Sequence, residues 1–375
     1  MDLERRDEHS ALPLPRQHAA QDKVVAEFGY KPALDGLRGA AAIAVLYAHV
    51  VPDLLPGGDV SLYLFFALSG YLITGLLLTE ISRNGTIDLP RFYGRRAIRL
   101  LPAILLVLAA VAVLTALTPT GPSWTAMAAV LFYVGNWYRA FGGELGTLTH
   151  TWSLSVEEQF YLVWPLVCLA ALAVAVRRRA DPARVLAWVT AAGCVLALGI
   201  RVLLVDGPTV RIYNGTDTRI DFILYGCLLS CLIRTMDRER LARWLARAFP
   251  VALLVALAWL VFHRPQQGDA LMWTVGYTVI AVSSTVIVGH LGLRPDSRAA
   301  RPLKHPALIW LGKMSYGFYL WHFPILAFLR AAGVPVAALA VLGLVLSVGM
   351  AWASFRLVEA PISRRLYRRL AARPQ

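Results

Sequence analysis

One apolar stretch carries an arginine and a histidine at a spacing suited to acid–base chemistry. In LDGLRGAAAIAVLYAH, Arg38 and His49 lie eleven residues apart, which is about 16 Å along a helix axis. An imidazole held inside a protein can exchange a proton near neutral pH, and a histidine that merely ties down backbone leaves the same signature. Asp35 reads as a helix-capping carboxylate or as the partner of Arg38 three residues on. In HTWSLSVEEQFYLVWP two carboxylates, Glu157 and Glu158, enter another apolar run. Neighbours on a helix point about 100° apart, so at most one is expected to share a cavity with His49, favouring the protonated ring and fixing its tautomer. FFALSGYLI adds Ser69 and Gly70, small residues that admit a substrate or a packed backbone equally well. SYGFYLWHFP adds Tyr316, Tyr319 and His322, the last two on one face. FYGRRAIRLLP sets Arg95, Arg96 and Arg99 at the mouth of a run. Guanidinium forks suit phosphate oxygens, although arginines beside a membrane span are also what orientation alone demands.

The elements that must position these residues are membrane helices. With 58% hydrophobic and 16% charged residues and a mean hydropathy of +0.57, the 375-residue chain is excluded from the soluble globular class. Apolar runs near the roughly 20 residues a bilayer core requires fall at 33–51, 61–79, 98–117, 154–176, 185–205, 220–233, 248–263, 271–293, 307–329 and 335–355. The stretch 125–141 is shorter and carries Asn136 and Arg139. Basic residues decide whether it crosses, because cytosolic loops retain them in excess. If it does not, 29 of the 37 Lys and Arg residues lie on one side of the membrane, and only Arg139, Arg211, Arg219 and Arg264 on the other. If it does, Arg177, Arg178, Arg179 and Arg184 land outside. The expectation is an all-α polytopic membrane helix bundle of ten transmembrane helices, a re-entrant or interfacial segment at 125–141, and both termini cytosolic.

The net charge of +14 is then mostly an orientation signal, and no nucleic-acid partner is expected. The four cysteines, Cys168, Cys194, Cys227 and Cys231, lie inside apolar runs without zinc-ligand spacing and read as packing residues. No repeat period and no matched pair of broken helices of the inverted-repeat transporter kind is visible. Residues 1–32 are polar, lack the apolar core of a signal peptide, and are expected to form a disordered cytosolic tail.

Taken in order, LDGLRGAAAIAVLYAH, FFALSGYLI, FYGRRAIRLLP, TWSLSVEEQFYLVWP, SYGFYLWHFP and FRLVEAPI resemble the acyltransferase-3 family of integral-membrane O-acyltransferases. The resemblance covers about residues 33–365, with a weaker block, YNGTDTRIDFILYGCLLS, around Arg219. It implies an acyltransferase-3 transmembrane domain at 33–358, followed by a basic cytosolic tail at 359–375, in a bacterial cytoplasmic membrane. It also implies transfer of an acetyl or other short acyl group from acyl-CoA to a sugar or glycoside hydroxyl, with no permanently bound cofactor and no metal. Acceptors in the family are surface polysaccharides, lipopolysaccharide, peptidoglycan, glycolipids and macrolides. By position, Arg38 and His49 match the family's essential arginine and histidine. Arg96 and Arg99 match its RxxR motif for the CoA donor, and Glu158 and Ser69 match further motif positions. Catalysis is therefore expected of His49, Glu158 and Arg38, donor binding of Arg38, Arg95, Arg96, Arg99 and Ser69, and acceptor binding of Trp152, Tyr319, His322 and Arg219. Many bacterial members add a C-terminal SGNH hydrolase-like domain. This sequence stops about 20 residues after its last span, so a standalone form with a small or lipid-linked acceptor is expected.

In the expected mechanism His49, oriented by Glu158, takes the proton of the acceptor hydroxyl as it attacks the thioester. An acyl-histidine relay is an equally open variant. The alternative class is a proton-coupled carrier of a sugar conjugate or small carboxylate, built on the same intramembrane Arg, His and Glu. Nothing in the sequence specifies an oligomeric state.

Overall fold

A backbone in hydrocarbon must satisfy its polar groups internally, which leaves helices as the local solution for these apolar runs. The computed structural model describes residues 30–117, 121–264 and 270–371, and among them every regular element is helical. In chain order these are α1 (Pro32–Val50), α2 (Val60–Asn84), α3 (Leu89–Leu117), α4 (Trp124–Leu131), α5 (Gly135–Ala140), a 3-10 turn (Gly146–Thr151) and α6 (Trp152–Arg178). They continue as α7 (Pro182–Leu203), α8 (Thr209–Asn214), α9 (Thr216–Thr235), α10 (Arg238–Phe262), a π turn (Met272–Gly276) and α11 (Tyr277–Leu293). The chain ends in α12 (Ala300–Leu303), α13 (Pro306–Lys313), α14 (Ser315–Ala331), α15 (Val336–Ser354), a second π turn (Phe355–Glu359) and α16 (Ala360–Ala371). Residues 1–29 of the expected N-terminal tail lie outside the described residues.

Eight of the described helical stretches are long and apolar enough to cross a membrane: α1, α2, α3, α6, α7, α10 and α15, and α11 taken with the π turn before it. The other two expected spans depart from that standard for different reasons. α9 carries Asp217, Arg219, Asp221 and Arg234, and it is enclosed by protein, packing on α2, α7 and α11. α14 has 17 residues because the expected run 307–329 breaks at Met314, where α13 ends and α14 begins. The stretch 125–141 is likewise two pieces, with Tyr133 at φ +53° between them. With 8 and 6 residues, α4 and α5 reach only about 12 and 9 Å, too short for either to cross alone. The join is fixed from α6 by Gln159, whose Nε2 donates to the Tyr133 carbonyl at 2.8 Å and to Asn136 Oδ1 at 2.9 Å.

Small residues set the closest helix contacts, as expected where lipid provides no hydrophobic drive between helices. A Cβ at Gly36 or Gly39 would collide with the carbonyls of Leu303 and Leu308, and one at Gly312 with that of Asp35, so α1 meets α12 and α13 backbone to backbone. Gly70 of α2 and Gly226 of α9 make the same reciprocal contact, which gives Gly70 a packing role. α7 and α9 are joined by a fully buried ion pair. Arg201 reaches both oxygens of Asp221 at 2.8 and 2.7 Å, and its guanidinium also donates to Thr278 and the Thr218 carbonyl. The four cysteines are free thiols, all buried.

These contacts separate two ends of the bundle. Gly36 meets Leu303 and Arg294 pairs with Glu239 at one end. At the other, Gly57 N–H donates to the Leu260 carbonyl at 3.1 Å, and Arg330 donates to the His49 carbonyl. α16 returns to α3 at the first end, where Ser363 donates to the Ile98 carbonyl at 3.3 Å.

Candidate active site

Arg38, Ala42, Val45 and His49 follow the i, i+4, i+7, i+11 pattern and form one stripe of α1. Val45 of this stripe is buried in a core with Ala103, Ile104 and Val107 of α3. Arg96 stands seven residues before Ala103 as Arg38 stands seven before Val45, so each guanidinium projects about two turns below that core. Both carry a buried Nε without a hydrogen-bond partner. The Arg96 guanidinium lies 3.0 Å from the centre of the Tyr161 ring.

Around Arg96 the structure assembles most of the expected donor residues. Glu157 accepts hydrogen bonds from Ser69 and from Tyr161. Glu158 lies among the charges of Arg96, Glu157 and Arg99, with Tyr133 and Tyr316 close by. This departs from the expectation that Glu158 orients His49. The reason is angular: α6 turns Glu157 toward α2 and Glu158 toward α3, and the group this part of the chain offers to His49 lies before the helix, at His150.

His49 sits on the last turn of α1, with Nδ1 2.8 Å from the Val45 carbonyl. Its ring centre is 5.3 Å from that of His322 and 5.0 Å from Phe323. His150, in the 3-10 turn before α6, completes the cluster at 5.1 Å from His322, and it stacks on Phe323 at 5.2 Å. His150 is 3% and His322 0% exposed. His322 Nδ1 lies 2.6 Å from the Tyr319 carbonyl while its Nε2 has no partner, and neither nitrogen of His150 has one. The carbonyls of Tyr319 and Leu320 approach the His150 ring without reaching hydrogen-bond geometry. Pro324 explains part of this, since it lacks the N–H that would bind the Leu320 carbonyl within α14.

Tyr319, expected at the acceptor, is already committed. Its hydroxyl donates to the His150 carbonyl at 2.7 Å and lies 2.7 Å from Ser153 Oγ, so it positions the 3-10 turn. Tyr316 donates to the Leu100 carbonyl at 3.3 Å. Trp152 is buried with its ring 5.0 Å from Tyr213. Arg219 of α9 is held by a different set of rings. It is 0% exposed, its Nε donates to the Tyr213 carbonyl at 2.9 Å, and its guanidinium lies 4.1 and 4.5 Å from the ring centres of Tyr277 and Tyr213. Beside it Asp59 accepts from Tyr63 and from Trp259 Nε1. Enclosed in this way, the Arg219 guanidinium is wrapped in aromatic faces.

His49 also borders a groove of about 570 Å³ at its end of the bundle, lined by Ala48, His49, Asp53, Arg330 and Val336 among others. Among the described residues no group of His, Cys, Asp and Glu has the geometry to hold a metal ion.

Fold and site define an integral membrane protein: an all-α polytopic bundle with arginines toward one end and a buried imidazole cluster toward the other. The sequence matches the acyltransferase-3 family (acyltransferase domain) over residues 31–356, and the chain belongs to that family. It is 31% identical over 371 residues to the O-acetyltransferase OatA of Staphylococcus aureus strain NCTC 8325, with 92% of this chain covered. The OatA of strain COL gives the same figures. The chain spans 59% of the length of these relatives. No solved structure matches it.

Proposed function

We propose that the chain moves an acetyl or other short acyl group from acyl-CoA to a hydroxyl of a sugar on a cell-envelope polysaccharide, a glycolipid or a glycosylated natural product. The observation that carries this reading is the state of the His49 ring. A carbonyl can only accept, so the contact with Val45 puts the hydrogen on Nδ1 and leaves Nε2 as a proton acceptor on the same helix stripe as Arg38. Membership of an acyltransferase family favours transfer over carriage of a solute. The name of OatA supports acetyl as the group.

In this reading the donor enters at the arginine end. Arg38, Arg95, Arg96 and Arg99 take its phosphates, with Glu158 holding Arg96 and Arg99 in place and Ser69 bordering the path. Acyl-CoA is a cytosolic polyanion, so this end faces the cytosol, both termini lie there, and α9 and α14 complete ten crossings. The acceptor O–H gives its proton to His49 Nε2 while the oxygen bonds to the thioester carbon. The C–S bond then breaks, and the CoA thiolate leaves with the proton from the imidazolium. General-base catalysis of this kind is worth about 10²–10⁴ in rate. The test is release of free CoA from acetyl-CoA by the purified chain in detergent when a sugar acceptor is added. His49→Ala is expected to lower that rate by about 10²-fold or more with the folded, monodisperse protein retained; full transfer by the variant would overturn the reading.

A further inference from the structure

The imidazole cluster has a one-sided hydrogen-bonding character that points to its ligand. Both His49 and His322 have Nδ1 against a backbone carbonyl. Since that carbonyl must receive a hydrogen, each ring presents a bare Nε2 lone pair. His322 Nε2 is fully buried without a partner. His150 has no hydrogen bond at either nitrogen, and the polar atoms nearest its ring are two further carbonyls, of Tyr319 and Leu320. A ring that turns its N–H toward those carbonyls leaves a third lone pair. Phe323 contributes no donor, and the Tyr319 hydroxyl is spent on the His150 carbonyl. Two bare acceptors, on His49 and His322, therefore stand together, and the neutral His150 ring beside them brings one N–H and one lone pair. Buried polar groups left in this state mark a place that something else fills.

What fills it must bring hydrogens. A carboxylate, a phosphate or a thioester carbonyl brings only lone pairs. A metal ion would take bare nitrogens, but the three rings do not converge as metal ligands do. A single hydroxyl satisfies one acceptor, whereas hydroxyls on adjacent carbons satisfy two. Of the three rings, His49 also lines the groove that holds Asp53 and Arg330.

We propose that His49, His150 and His322 form a hydroxyl-binding chamber, entered from the Asp53 and Arg330 groove, that selects an acceptor presenting a vicinal diol. This rests on the acyl-transfer reading for its purpose but not for its test. One hydroxyl donates to His49 Nε2 and is the one that reacts. Its neighbour donates to His322 Nε2, and His150 closes the chamber over the pair, so a monohydric alcohol binds weakly and lies loosely against His49.

The test uses the full chain in detergent with ¹⁵N-labelled histidine and no acyl donor, titrated with cis-cyclohexane-1,2-diol and, separately, with cyclohexanol. The diol is expected to bind about tenfold more tightly, the worth of one additional hydrogen bond, and to shift the bare-nitrogen resonances of all three rings. His322→Leu is expected to erase the diol's advantage, and His322→Gln, whose amide oxygen still accepts, to keep it. Equal affinity of the two alcohols for the unaltered chain would overturn the proposal whether or not the variants fold. So would His150 and His322 resonances that stay fixed, or stoichiometric zinc in the purified protein. Because no donor is present, a failure here leaves the CoA-release assay to stand or fall separately.

Discussion

At His49 a single backbone oxygen decides what the side chain can do, because the Val45 carbonyl spends one ring nitrogen and frees the other. The importance of His49 was legible from its place in an apolar helix with Arg38; the tautomer was not, since it depends on a contact one turn back. His150 was not legible at all. It stands at the head of HTWSLSVEEQF, outside the apolar run, where a histidine looks like an exposed loop residue, and only the fold brings it against His322. Lys31, just before α1, shows burial at work on a charge. Its Nζ donates to the Tyr71 hydroxyl at 2.7 Å, and burial, with Arg238 nearby, brings its pKa down to about 8. The folded chain therefore releases a proton that the unfolded chain keeps up to about 10.4, so stability should rise with pH between those two values. Thermal unfolding in detergent from pH 7.5 to 10.5 checks this. The slope should flatten in Lys31→Met, and a variant with an unchanged slope would remove Lys31 as its source.

At the scale of elements, length and hydropathy located eight spans with little ambiguity, because apolar length is what a bilayer selects. The two harder helices are the ones whose partners replace lipid. α9 tolerates Asp221 because Arg201 of α7 neutralises it inside the bundle, a pairing across 20 residues that no local pattern announces. α14 is shortened by the break at Met314, which allows α13 to press on Gly39. Removing one partner of a buried pair strands the other charge and costs about 3–5 kcal/mol, whereas removing both costs much less. Arg201→Leu alone should therefore lower the apparent melting temperature sharply, and Arg201→Leu combined with Asp221→Leu should recover most of the loss. A loss in the double variant as large as the two single losses added together would show that the pair contributes no coupling.

For the whole molecule, the sequence could only count basic residues; the structure gives the count a geometry. Residues near Arg294 and Arg238 gather at one end, and those near Gly57, Leu260 and Arg330 at the other. The proposed orientation puts Asn84 in the cytosol and Asp206 outside, both exposed. In intact cells a membrane-impermeant maleimide should label Asp206→Cys and should reach Asn84→Cys only after permeabilisation. Labelling of Asn84→Cys in intact cells would invert the assignment and place the arginine end beyond the reach of cytosolic acyl-CoA.

That experiment is unusually clean in this chain. Cys168, Cys194, Cys227 and Cys231 are all enclosed between helices, so alkylating reagents in the surrounding water meet no native sulfur. The natural sequence already serves as a silent background for reporter chemistry, and single tags can be read without first cutting holes in the interior.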